Sequence, residues 1–241
     1  MRLIQVVLAA VFCSLSARGQ DSGLFKIEVV TAKHSDRKSV RDFKRASPAF
    51  YEDESFTVTK SCAGEFGGSL IFKEKATGLL YGCEATCPVI LNKLNGQYIA
   101  TTTLSHMIGF SKILAIDNPR ALPILKPSGK QRGAALMPPP SSREPGHGVK
   151  TLVDTIHVLA LGSFPYQGQL YHVVTDFKKT FLAKVSRGKF VTIAPIADFS
   201  IRTSDPEMVR TDNGHYVLFY RNREENGYLD VHENAITVFR Y

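Results

Sequence analysis

Cys62, Cys83 and Cys87 are the residues whose chemistry depends most on where the chain is delivered. In an oxidising compartment two of the three thiols pair and one is left over. Cys62 bonded to Cys83 or to Cys87 would tie one strand to the hairpin that follows; buried free thiols are the alternative. Zinc needs a second cysteine pair or added histidines. Cys83-Glu84-Ala85-Thr86-Cys87 has neither at suitable spacing, so no metal site is expected. A second reactive group is the run Thr101-Thr102-Thr103-Leu104-Ser105-His106-Met107-Ile108-Gly109-Phe110, which concentrates hydroxyls, an imidazole and a thioether between two strands. His106, with Asp117, could bind a ligand; a structural hydrogen bond is the competing reading. Walker, dinucleotide, His-Glu-x-x-His, EF-hand and Gly-x-Ser-x-Gly patterns are absent. The pattern therefore gives no cofactor and no Ser-His-Asp chemistry.

The leader sets the compartment. Met1-Arg2, the apolar run Leu3–Leu15 and the small residues before Gln20 read as a cleaved secretory signal over residues 1–20. The run is short for a permanent anchor, and no later stretch is apolar enough to span a bilayer as a helix. The product is expected to be secreted, periplasmic or at the cell-envelope exterior. A composition of 44% hydrophobic and 22% charged residues excludes a disordered chain. The charge of +8 falls to about +6 when Arg2 and Arg18 leave with the signal. That favours anionic partners, while export argues against nucleic acid. Lys33, Arg37, Lys38, Arg41, Lys44 and Arg45 form the densest cationic cluster, either a solvated helix or loop face or a polyanion patch.

The elements that must position these residues repeat. Asn95-Gly96, Gln167-Gly168 and Asn213-Gly214 each open an apolar strand, and Phe110, Phe181 and Tyr228 follow 13 or 14 residues after the glycines. Gly168 to Gly214 spans 46 residues and Gly96 to Gly168 spans 72. The excess matches a Pro/Gly/Ser-rich stretch at about 123–149, which reads as a loop inserted into one repeat. Three strands per unit are predicted: 97–103, 110–116 and 121–125; 169–175, 180–185 and 189–193; 215–220, 227–231 and 235–241. A divergent earlier unit fits 55–60, 69–73 and 79–83. Residues 151–161 read as one further strand, and 39–46 as one short helix. Phe25–Thr31 could complete the last unit from the other end of the chain.

These features predict an all-β fold, a single β-repeat domain over 21–241. A propeller-like ring of four or five small blades accounts for the period; a β-sandwich or an irregular barrel is the alternative.

Ser204-Asp205-Pro206-Glu207-Met208-Val209 followed by Asn213-Gly214-His215-Tyr216-Val217-Leu218-Phe219-Tyr220 resembles the Asp-Pro…Gly-x-Tyr-Tyr strand of five-bladed furanosidase-like glycoside hydrolases. The resemblance covers about 17 residues. It implies a propeller in which Asp205 would be a catalytic base, and Glu84 is the nearest candidate for the acid. Such hydrolysis needs two facing carboxylates, one protonated and one ionised. The family carries this aspartate in an early blade, whereas here it stands near the end of the sequence. Asp205 as a turn cap and Glu84 as a solvent-facing residue are the competing readings. The Thr101–Phe110 run with Ile113-Leu114-Ala115-Ile116-Asp117-Asn118-Pro119 is similar to segments of uncharacterised secreted bacterial β-repeat proteins, a likeness that assigns no activity.

The sequence therefore points first to a non-catalytic binding or interaction module, with a glycan or an envelope protein as partner and an acidic one favoured. A propeller-type glycoside hydrolase is the alternative, and a purely structural envelope role is a third reading.

Overall fold

Gly96, Gly168 and Gly214 hold backbone φ of 80°, 71° and 84°, in the left-handed region where a side chain is strained. Each sits in the turn between the first and second strands of its own antiparallel sheet. In this computed structural model, which describes residues 23–106, 108–125, 148–203, 206–221 and 226–241, the fold is all-β. The leader and most of the inserted loop at about 123–149 lie outside the described residues.

The first strand, β1 (Lys26–Thr31), precedes the sheets in sequence. The first sheet runs β2 (Tyr51–Glu52), β3 (Phe56–Cys62), β4 (Gly68–Glu74) and β5 (Leu80–Glu84). The second runs β6 (Pro88–Leu94), β7 (Gln97–Leu104), β8 (Phe110–Ile116) and β9 (Lys150–Ile156). The third runs β10 (Leu159–Tyr166), β11 (Gln169–Thr175), β12 (Thr180–Ser186) and β13 (Lys189–Ala197). The fourth runs β14 (Met208–Arg210), β15 (Tyr216–Arg221), β16 (Asn226–His232) and β17 (Ala235–Arg240), and β1 adds to its outer edge parallel to β17. No described sheet closes into a barrel. No described helix is long and apolar enough to cross a membrane.

Each unit therefore has four strands, not the predicted three. The additional strand comes first in its sheet, and in the second, third and fourth it precedes the glycine turn. The predicted strand at 151–161 is two strands, broken at His157, whose φ of 62° turns the chain as a glycine would. Residues 121–125 are not the outer strand of the second sheet. Pro119–Ala121 is a 3-10 turn, and Leu125 N donates to Leu80 O at 2.8 Å, adding this stretch to the edge of the first sheet. The place predicted for it belongs to β9.

Alternation along the strands drives the sheets together. Phe56, Val58, Leu70 and Phe72 of the first sheet meet Leu91, Tyr98, Leu114 and Ile116 of the second. Ile99, Ile113 and Val153 meet Ala160, Val174 and Ala183 between the second and third. Leu161, Phe164, Val173 and Leu182 meet Leu218, Leu229, Ile236 and Val238 between the third and fourth. Each fully buried side chain of this size is worth about 1.5–3 kcal/mol. No sheet here has an interior of its own, so each depends on its neighbours.

The fourth sheet reaches the first through the chain between β1 and β2. Val40–Asp42 is a single 3-10 turn, so the expected helix over 39–46 is absent. The segment is otherwise a strap across the sheet: Lys38 N donates to Tyr241 Oη at 2.8 Å, Phe43 packs edge-on against Phe219 and Tyr228, and Ala46 N donates to Arg210 O at 3.0 Å.

Candidate functional site

The first strands of the sheets converge: β6 touches β2, β10 and β14, and β10 also touches β14. Where β2, β6 and β14 meet, the strap frames a cleft of about 190 Å³. Its apolar side is Ile90 and Leu91 of β6 with Met208 and Val209 of β14, and Tyr51 lines it from β2. Met208 and Val209 of β14 are both buried, and Arg210, where the strand ends, is exposed at the margin of the cleft.

Charge at the cleft is mostly cancelled in pairs. Arg45 Nη1 donates to Glu207 Oε1 at 2.8 Å. Lys75 Nζ reaches Glu52 Oε1 at 2.7 Å, and Ser47 Oγ donates to Glu52 Oε2 at 2.9 Å. Bonds from Lys75 and Ser47 hold the Glu52 carboxyl below the usual carboxylate range. Arg210 lines the same cleft and forms no ion pair among the described residues. The result is one uncompensated guanidinium beside an apolar surface and a tyrosine.

A polar cluster behind Tyr51 fixes the turn that carries it. Asp53 Oδ2 accepts from Lys93 Nζ at 2.8 Å and from Tyr98 Oη at 2.6 Å. Its Oδ1 accepts from the amides of Ser55 and Phe56 at 2.9 and 2.8 Å. Burial acts to raise the Asp53 pKa, but the bonds from Lys93, Tyr98 and the two amides outweigh it and bring it down to about 2. Burial and then the Asp53 carboxylate push the Tyr98 phenol up to about 12. Burial, with Asp53's charge adding, also raises the Tyr51 phenol. Both tyrosines are thus neutral donors at ordinary pH. With four donors already on it, Asp53 positions the turn; a proton shuttle would need a carboxylate less fully bonded.

His106 and Asp117, the ligand-binding pair singled out by sequence, are not brought together. Asp205 lies outside the described residues. Glu84 ends β5, the outer strand of its sheet, exposed and away from the cleft. His106 and Asp117 sit at opposite ends of β8, so the suggested pair does not form. His106 Nδ1 lies 3.3 Å from Glu65 Oε2, and Asp117 accepts from the Gln97 amide.

Thr101–Leu104 belongs to β7; the Thr101 and Thr103 hydroxyls are buried between the second and third sheets, and Thr102 Oγ1 donates to Lys112 O at 3.2 Å within the second. Thr103 Oγ1 donates to Ala160 O at 2.6 Å and shares a bond with Ser111 Oγ at 2.8 Å. Thr101 and Ser163 hydroxyls share one at 2.8 Å, and Asn92 Nδ2 donates to Ser163 Oγ at 2.9 Å. This ladder satisfies polar groups that would be costly to bury alone. It serves packing.

Cys62 and Cys87 form the disulfide, one of the two pairings expected. Cys83 is the free thiol, buried, with its pKa pushed up to about 12 by that burial.

Sequence reasoning missed Tyr51 and Arg210 as site residues. The available signal was local: Glu207-Met208-Val209-Arg210 places an apolar pair between opposite charges directly after Pro206. What joins it to Tyr51 is contact between distant segments. Comparison with protein-family models, with curated proteins and with solved structures gives no match.

Proposed function

We propose that the chain is an exported, non-catalytic binding module whose four sheets form a propeller-like ring of four blades. Its central cleft takes a carboxylate-bearing sugar. Convergence of the first strands, and the strap linking the fourth sheet to the first, support the ring. The apolar leader and the Cys62–Cys87 disulfide support export, since disulfides persist in oxidising compartments.

The observation that carries the ligand class is Arg210, unpaired among described residues at a cleft whose other charges are matched. A planar guanidinium suits bidentate contact with a carboxylate. Tyr51, half-buried at the cleft, offers aromatic surface for a sugar, over buried Ile90, Leu91, Met208 and Val209. The glycoside hydrolase reading needs a carboxyl held protonated near neutral pH. Glu52 at this cleft is shifted the other way, and Glu207 is engaged by Arg45.

A glycan array probed with the mature protein tests this. Uronic-acid oligosaccharides are expected to bind and neutral ones not, with Arg210→Ala losing about 1.5–3 kcal/mol of binding, the range for hydrogen bonds to charged groups. Binding indifferent to Arg210, or cleavage of the bound sugar, would reject the reading.

A further inference from the structure

A second cleft, of about 270 Å³, opens where the strap leaves the outer edge of the fourth sheet. We infer that it is a separate site for a sulfated, polyanionic polysaccharide. The charged side chains among its described lining residues are Arg37, Lys38 and Arg221, all cations. The strap's own acids do not cancel them by direct pairing. Asp42 accepts from Ser39 N at 2.6 Å and from Ser39 Oγ at 2.9 Å, and Asp36 accepts from Ser35 Oγ at 3.0 Å.

The cleft has the other groups a sugar polymer uses. Phe219 and Tyr241 supply aromatic surface, and Ser39 and Thr203 supply hydroxyls. Asn226 also lines it, and its side-chain oxygen is buried with no hydrogen-bond partner among the described residues. A buried acceptor left unpaired is costly, and a sugar hydroxyl is a donor that would satisfy it. Cations for sulfate and an acceptor for hydroxyl are a combination that neither a bare phosphate nor a lipid tail requires.

The frame holding these groups is fixed before any ligand arrives. Lys38 N donates to Tyr241 Oη at 2.8 Å, Tyr241 N donates to Asn226 O at 2.9 Å, and the Lys38 ammonium sits 5.4 Å from the Phe43 ring centre and 5.9 Å from that of Tyr228. Preorganisation of this kind lowers the ordering cost of binding.

The test is calorimetric titration of a dextran sulfate oligosaccharide, sulfated but free of carboxylate, into the protein at low salt. Arg37→Ala with Arg221→Ala is expected to weaken binding at least about tenfold, whereas Arg37→Lys with Arg221→Lys keeps most of it. Lys178→Ala with Lys189→Ala removes the same charge from exposed positions of the third sheet, and is expected to change affinity less than about twofold. No binding by the unaltered protein, or equal loss in the two alanine pairs, would overturn the site. Tighter binding of duplex DNA or anionic vesicles through Arg37 and Arg221 would overturn the ligand class. Arg210→Ala is expected to leave dextran sulfate binding unchanged, because that polymer has no carboxylate for Arg210 to take, which separates failure here from failure at the first cleft.

Discussion

Cys83 stands four residues from Cys87, yet the disulfide excludes it. On β5 the two-residue alternation turns Tyr81 and Cys83 inward, against Phe72 and Leu91, while Cys62 lies at the exposed end of β3. A protein of residues 21–241 should therefore show no thiol to a sulfhydryl reagent until it is unfolded, and then one per chain. Cys62→Ser opens a link between positions 25 residues apart and is expected to cost about 3 kcal/mol in urea unfolding, on chain-entropy grounds. His172 is a second buried group, edge-on to Phe190, and burial lowers its pKa from 6.5 to about 3. Between those values the unfolded chain takes up a proton that the folded one does not, so stability falls as pH falls from about 6.5. Unfolding midpoints measured from pH 7 to pH 4.5 should decline for the unaltered protein and flatten in His172→Phe. A flat profile in both would refute the assignment.

At the scale of elements, the strand ends matter most where the chain returns on itself. Phe25, just before β1, packs on Phe164, Tyr166 and Tyr171 of the third sheet at ring distances of 5.8, 5.1 and 4.8 Å. It holds an outer strand of the fourth sheet down against its neighbour. Phe25→Ala should cost about 3 kcal/mol in urea unfolding, as for other aromatic truncations in cores. It should also release the β17 edge for pairing with other chains, visible as concentration-dependent aggregation. If stability and monodispersity are unchanged, β1 is not a structural strand.

The glycine turns, the strands following them apart from the outer one of the second sheet, and the role of 25–31 were legible in the sequence, because glycine turns and apolar alternation are local signals. The strands preceding the turns were not all legible. β14 has only three residues, and β9 and β10 are divided by a histidine where a glycine would ordinarily mark the break. Thr101–Thr103 looked chemical because hydroxyls in a row are unusual. Thr101 and Thr103 bond Ser163 and Ala160, some 60 positions away, so that packing was invisible until the second and third sheets met.

Across the molecule, three stretches of chain meet at one cleft: the strap with β2, the start of β6, and β14. Contact among remote segments is what distinguishes a ring from a string of hairpins, and it is also what builds the proposed sugar site. Hydrogen–deuterium exchange with and without the acidic oligosaccharide selected on the array examines both at once. Residues 45–52, 88–92 and 207–210 are predicted to gain protection together, and to lose that gain in Arg210→Ala. Protection confined to one of the three stretches, or appearing elsewhere in the chain, would contradict the account.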